Sequence, residues 1–241
     1  MRRIDALVAI TRRRLLGSGA GLLAAAALPL RAQAAGQRAQ EAASTDLTGR
    51  VARYMAAARQ QPLPADVVRE VKHRVLDTIA AMISGARLKP GEMAVRFARA
   101  QGGTPEASIV TTDIRTSAIN AALVNAMFAH ADETDDFEPV TKAHPGCAAV
   151  PAALAIGERE DRSGEAFIRA VALGYDVCCR WLQALGPNHV RATHRSAEGV
   201  SATMGAAAAA ASMAGLDEKG MLSREAALTM PGRPASIAAA P

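Results

Sequence analysis

Four of the five histidines fall in two short segments crowded with ionisable side chains. The first runs His130-Ala131-Asp132-Glu133-Thr134-Asp135-Asp136-Phe137-Glu138 and continues through Lys142-Ala143-His144-Pro145-Gly146-Cys147. The second spans 188–196 and holds His189, Arg191, His194 and Arg195. Imidazoles beside carboxylates suit general acid/base chemistry, in which a positioned side chain takes a proton from substrate and returns one. The remaining histidine, His73, sits among charged neighbours in a helical stretch and reads as a solvated surface residue.

Both segments run into helix N-termini. His144 directly precedes Pro145, a favoured residue in a first helical turn, and His194 comes just before a helix expected from about Ala197. Unpaired N–H groups and a partial positive charge make such a terminus a site for carboxylate or phosphate. The same charge disfavours imidazolium, which keeps a histidine there neutral and able to act as a base. Two such segments facing one cleft would make an anion site with its own acid/base groups; the sequence leaves open whether they meet.

Other readings of these residues stand beside that one. An Asp/Glu run between helices also serves as a solvated, capping loop. His130 with Asp132, or Asp135 with Asp136, offers ligands to a divalent cation, but neither an H-x-x-x-H nor an EF-hand spacing is present and no metal is assigned. Cys147 lies near His144, yet a position some three residues into a helix, flanked by alanine, makes it a core residue rather than a nucleophile. Cys178 and Cys179 are adjacent in mid-helix, so at most one points inward. Nucleophile-elbow, P-loop and dinucleotide-binding glycine motifs are missing from the sequence.

The elements that must position these residues are mainly helical. Of 241 residues, 57 are alanine, the best helix former and a residue that lets helices approach closely. Helices are expected at about 46–59, from Pro64 to Gly85, at about 90–101, 117–130, 145–157, 164–185 and 197–215. Val68, Val71, Val75, Ile79 and Ile83 step by three or four and predict the core stripe of the second. In the helix from Ser117, Ile119, Leu123, Met127 and His130 share a face. Ser163 is placed to cap a helix, and Gly186-Pro187 to end it. Residues 107–112 are the one strand-like stretch. The fold class is therefore all-α.

Charge locates the ends. The chain carries a formal +5 with a pI near 9.6, a balance that invites nucleic acid. Residues 1–34 hold six arginines and one acid; removing them leaves 22 basic and 22 acidic side chains, so no nucleic-acid partner is expected. Thr11-Arg12-Arg13-Arg14-Leu15-Leu16, a mild apolar run to Leu30, and Ala32-Gln33-Ala34 read as a twin-arginine signal peptide with its cleavage site. The alternative, an uncleaved anchor, fails on length, since about 20 apolar residues are needed to span a bilayer. The partner implied is the twin-arginine export machinery, the location periplasmic, and no stable membrane insertion follows cleavage. Residues 35–45 read as a linker, 46–221 as the helical domain, and 222–241, broken by Pro231-Gly232-Arg233-Pro234, as a poorly ordered tail.

In order along the chain, a set of short pieces resembles the MmgE/PrpD family, which includes 2-methylcitrate dehydratase and cis-aconitate decarboxylase. They are Leu76-Asp77-Thr78-Ile79-Ala80 with Ser84-Gly85, Ala121-Ala122-Leu123-Val124-Asn125, and the stretch from His130 to Asp136. His144-Pro145-Gly146 with Pro151-Ala152-Ala153-Leu154-Ala155, Gly174-Tyr175-Asp176-Val177, His194, and Gly205-Ala206-Ala207 to Gly215-Leu216-Asp217 complete the set. No single piece is decisive; the ordered set, from about Leu47 to Gly220, is specific.

The resemblance implies a large helical domain, a smaller α/β lid domain encoded downstream, a homodimer, and cofactor-free dehydration or decarboxylation of a small polycarboxylate substrate. It makes His144 a catalytic or carboxylate-binding histidine and His194 a second active-site histidine. Glu133, Asp135 and Asp136 would then shape and orient the site, with Lys142 placed to supply a cation beside His144. Glu133 stands where the family usually has Asp, and Phe137 replaces a small hydroxyl residue, taking a donor out of the pocket. The family's length and its downstream lysines point to a truncated or frame-shifted product. The functions that follow are a lyase of this kind, a catalytically inactive helical fragment acting as a dimerising or ligand-binding module, or an isomerase or epimerase on an acidic substrate.

Overall fold

The computed structural model describes residues 46–222, so the export signal, the linker and all but the first residue of the tail read from the sequence lie outside the described residues. The chain divides between Thr48 and Gly49, and the architecture below concerns the part from Gly49 onward. Its elements in order are α1 (Leu47–Ala58), α2 (Ala65–Gly85), α3 (Lys89–Gln101), β1 (Ala107–Ser108), β2 (Arg115–Thr116), α4 (Ala118–His130), α5 (Gly146–Arg159), α6 (Gly164–Leu185), α7 (Pro187–Ala192), α8 (Ala197–Met213) and α9 (Glu218–Leu222). The mainly helical class expected from the alanine content is what the chain adopts.

Local chemistry explains the helix starts. Ser117, Ser163 and Ser196 each accept a hydrogen bond from the amide three residues on, at Asn120, Ala166 and Gly199. Each bond satisfies one of the donors a helix start leaves without a partner. A short helix, α7, replaces the loop expected after Gly186; Pro187 sits in its first turn, where a missing N–H costs nothing.

At the centre lies α5, GCAAVPAALAIGER, buried along almost its whole length and packed against α2, α4, α6, α8 and β1. A helix apolar on every side has to be enclosed. Small residues permit the closest crossings: Ala149, Gly174, Gly205 and Ala209 meet where α5, α6 and α8 converge. Phe128, Met82, Ile109, Val150 and Val171 fill the spaces between.

The face expected of α2 is corrected, and the shared face of α4 turns out to point outward. On α2 the buried positions are Val71, Thr78, Ala81, Met82 and Gly85, while Ile83 is exposed. Steps of four overshoot a 3.6-residue turn, so three of them carry Ile83 about 120° round from Val71. On α4 the buried face is Ala118, Ala121, Val124, Asn125 and Phe128, and Ile119, Leu123 and Met127 point outward together. Alanines on the inner face let neighbouring elements approach, and Phe128 fills the space left between them.

The strand-like stretch shortens to two residues, Ala107 and Ser108, paired antiparallel with Thr116 and Arg115. Thr111 turns the chain back with φ 67°. The hairpin is fastened to α5 through Glu158, which accepts from the Ser108 amide at 3.0 Å and hydroxyl at 2.7 Å. Fully buried Asn125 fastens it to α4: its Oδ1 accepts from Val110 N at 2.9 Å and its Nδ2 donates to Ser108 O at 3.0 Å. Asn125→Ala leaves both backbone groups without partners and is expected to cost about 2 kcal/mol. A denaturation midpoint equal to wild type would contradict this role.

Candidate functional site

The loop between α4 and α5 is tied down by its own side chains. The Glu138 carboxylate accepts from the amides of Val140 at 3.0 Å and Thr141 at 2.7 Å and from the Thr141 hydroxyl at 2.6 Å. Burial opposes ionisation of Glu138, but these bonds outweigh it and hold the carboxyl below its ordinary range. The Glu138 amide donates to Ala143 O and the Lys142 amide to Glu138 O, closing a tight turn that delivers His144 back toward the end of α4.

At that meeting point stands Asp135. Its side chain is completely buried and lies between two imidazoles. His130 Nδ1, from the last residue of α4, is 3.0 Å from Oδ1, and His144 Nδ1 is 3.3 Å from Oδ2. The rings meet edge to face with centroids 5.3 Å apart. A carboxylate bridging two Nδ1–H groups directs each Nε2 lone pair away from itself. Side-chain exposure is 20% for His144 and 38% for His130, so neither ring is fully enclosed.

Asp136 faces another way. Its Oδ1 accepts from the Gly146 amide at 3.2 Å, so the chain's own carboxylate occupies the N-terminus of α5, where a bound anion was expected. Arg74 Nη1 approaches Oδ2 at 3.7 Å, and the Tyr175 hydroxyl lies buried close by. Burial raises the Asp136 carboxyl above its usual range, against the opposing pull of Tyr175, Arg74 and the Gly146 amide. Gly146 is required here: a Cβ would stand 2.5 Å from Asp136 Oδ1, 2.6 Å from Thr78 Oγ1 and 2.7 Å from the Tyr175 hydroxyl.

Phe137 and Lys142 form the outer edge. The Phe137 ring tilts against His144 with centroids 6.2 Å apart, and Lys142 Nζ sits 5.4 Å from the Phe137 centroid. A cavity of about 360 Å³ opens beside them, lined in part by Arg74, Asp136, Phe137, Glu138, Tyr175 and Cys179. Arg74 brings positive charge to it, but its Nε already donates to Glu70 Oε1 at 2.8 Å.

The expected site residues therefore separate. Asp135 and His144 bond directly, Phe137 and Lys142 stack beside them, and Asp136 faces the adjoining cavity. Glu133 is highly exposed and reaches only the far edge of His130, at 3.8 Å from Nε2. His194 is exposed in the turn after α7, and no hydrogen bond, ion pair or ring contact found among the described residues joins it to His144. Glu133, Lys142 and His194 all adopt positive φ, of 58°, 67° and 55°. Such a backbone costs of order 1 kcal/mol per residue and concentrates at functional loops.

Sequence reasoning overlooked His130 as the partner of Asp135. Its place at the end of α4, five residues before that acid, was the available signal. Asp132, weighed with His130 as a ligand pair, instead bonds the Ser84 hydroxyl and the Thr134 hydroxyl, which lower its carboxyl below the ordinary range. Cys147 is buried beneath the cluster; burial, then the Asp135 charge, pushes its thiol well above the ordinary value, consistent with a core role. Cys178 is buried and Cys179 half-buried, so one of the adjacent pair points inward as expected.

Both tyrosines are held protonated. Burial, then the 2.7 Å hydrogen bond to Asp176 and the charge of that residue, push the Tyr54 phenol up to about 12, with Arg180 opposing. Burial and then the Asp136 charge raise Tyr175 further. Protonated phenol is the form the fold favours, so this contribution is full below the ordinary tyrosine value of 10.0 and is lost as pH rises above it. Ultraviolet titration is expected to show no phenolate appearing near pH 10 while the protein stays folded. Ionisation there would contradict the burial of the Tyr175 hydroxyl or the hydrogen bond from Tyr54 to Asp176.

Among the described residues no helix is long and apolar enough to cross a membrane. The family model described as "MmgE/PrpD N-terminal domain" matches residues 49–228. A curated relative, "Cis-aconitate decarboxylase-like protein oryM" of Aspergillus oryzae, is 24% identical over 139 residues, covering 55% of this chain and 29% of its own length. This chain thus spans less than a third of that relative.

Proposed function

The chain belongs to the MmgE/PrpD family, and from that premise we propose that it supplies the proton-transfer face of a lyase site for a small polycarboxylate. The observation carrying this reading is the buried Asp135 carboxylate held between His130 and His144. Asp135 fixes the proton of His144 on Nδ1 and leaves Nε2 as the base. Nε2 removes a proton α to a substrate carboxylate, and the C–H electron pair forms the new carbon–carbon double bond as hydroxide leaves from the adjacent carbon and takes a proton from solvent to become water. In the decarboxylation variant carbon dioxide departs, the electron pair of the broken C–C bond stays on carbon, and the same imidazole, entering that step protonated at Nε2, delivers the proton to carbon. Arg74 and Lys142 are the nearby cations for substrate carboxylates, and Phe137 covers one edge of His144.

A second reading rests on a specific observation. Arg74 is engaged by Glu70 and Asp136, and the α5 N-terminus by Asp136, so the groups best suited to anions are occupied from within. That favours a helical fragment that binds or dimerises without turnover. Purified protein mixed with 2-methylcitrate, citrate or cis-aconitate, followed by ultraviolet absorbance and mass spectrometry, separates the readings. An alkene product or loss of carbon dioxide supports the lyase. Stereochemical exchange without an alkene indicates an isomerase or epimerase instead. No turnover from protein with a helical circular-dichroism spectrum leaves the second reading.

A further inference from the structure

We propose that His130, Asp135 and His144 form a binding site for a divalent transition-metal ion of the zinc class. The inference rests on the geometry of the three side chains and does not depend on the reaction proposed above. One donor atom from each lies within 4.8 Å of the other two. Asp135 Oδ2 lies 3.2 Å from His130 Nδ1 and 3.3 Å from His144 Nδ1, close to the spacing of about 3.3 Å between ligands set tetrahedrally around an ion at roughly 2.0–2.1 Å.

The chemistry of the surroundings points the same way. Asp135 is a completely buried anion, and its ion-pair partners among the described residues are the two imidazoles, with no Lys or Arg beside it. A buried carboxylate is stabilised by a full positive charge. Two imidazole nitrogens and one carboxylate oxygen select zinc, cobalt or nickel over magnesium or calcium, which prefer oxygen ligands throughout. Both imidazole side chains are partly exposed, whereas the carboxylate between them is buried.

Binding balances without an oxidant or a net proton. On each neutral ring the proton moves from Nδ1 to Nε2 as Nδ1 takes the metal, and both nitrogen–hydrogen bonds to Asp135 are replaced by bonds to the ion. His144 Nε2 then carries a proton and no longer offers a lone pair. An ion at this position is therefore a reversible block on any base function of His144.

Isothermal titration of the metal-free protein with Zn²⁺ is expected to show saturable one-to-one binding, with no comparable response to Mg²⁺. Substituting His130→Ala or His144→Ala is expected to weaken Zn²⁺ binding at least about tenfold, the lower range for losing even an outer-shell partner of a metal ligand. Should a variant fail to fold, wild-type protein still decides. Zn²⁺ should protect His130 and His144 from diethyl pyrocarbonate, read residue by residue by mass spectrometry, while His73 and His189 stay reactive. Absence of saturable Zn²⁺ binding, binding unaltered by both substitutions, or modification of His130 and His144 at the metal-free rate would overturn the proposal.

Discussion

Replacing His144 with alanine is expected to lower turnover of the polycarboxylate substrate by about 10²- to 10⁴-fold, the range for removing a positioned acid/base group. The loss should fall on kcat, because the imidazole acts on the reacting proton rather than on the carboxylates that hold the substrate. Asp135→Asn is the companion variant: it removes the negative charge between the two rings and puts an NH2 donor where an oxygen now accepts from Nδ1–H, so the hold on both rings weakens. His194→Ala leaves the Asp135 cluster whole, and its effect is expected to be at least about tenfold smaller than that of His144→Ala. Steady-state kinetics with unchanged secondary structure checks all three. Equal losses for His144→Ala and His194→Ala would place the proton-transfer group wrongly.

Gly85→Ala is expected to destabilise the fold by at least about 3 kcal/mol, the upper range for forced overpacking. A Cβ at Gly85 would stand 1.9 Å from the carbonyl oxygen of Phe128 and 2.9 Å from Ala131 Cβ. Backbone cannot swing aside as a flexible side chain can, so α2 and the end of α4 must separate. That movement also disturbs the site, because His130 ends α4 and Asp132, just beyond it, is bonded to Ser84. For a chain of this size the loss corresponds to a fall in Tm of roughly 6–12 °C. Gly164→Ala is the control: its added methyl meets nothing within 4 Å, and its stability should stay near that of wild type. A Gly85→Ala midpoint equal to that of Gly164→Ala would mean that the two helices are not in contact at this point.

The legible parts of the fold were those set by neighbours in the chain. Ser163 capping α6 and the Gly186-Pro187 stop involve only adjacent residues, and both occur where the sequence places them. The buried faces of α2 and α4 depended on which side chains let another helix come near. Apolarity singled out Ile83, Ile119, Leu123 and Met127, whereas close packing buried Ala81, Ala118 and Ala121. An alanine carries too weak a hydrophobic signal to mark the face it buries.

At the site the sequence singled out the segment and left the roles open. Asp135 and Asp136 looked equivalent, yet neighbouring residues in the turn point apart, one to two histidines and the other to the start of α5. His130 and His144 meet because the Glu138 carboxylate folds the intervening loop, a contact that neither composition nor periodicity encodes. The sequence leaves open whether the His144 and His194 segments meet, and among the described residues no hydrogen bond, ion pair or ring contact joins the two histidines.

Proton removal can be measured apart from elimination or decarboxylation. The protein is incubated in deuterium oxide with citrate, 2-methylcitrate or tricarballylate, and deuterium at the carbon next to a carboxylate is read by mass spectrometry and proton NMR. The account predicts saturable incorporation that falls to the buffer rate when His144 is alanine. Incorporation unaffected by His144→Ala, or no incorporation above buffer from folded wild-type protein, would contradict it.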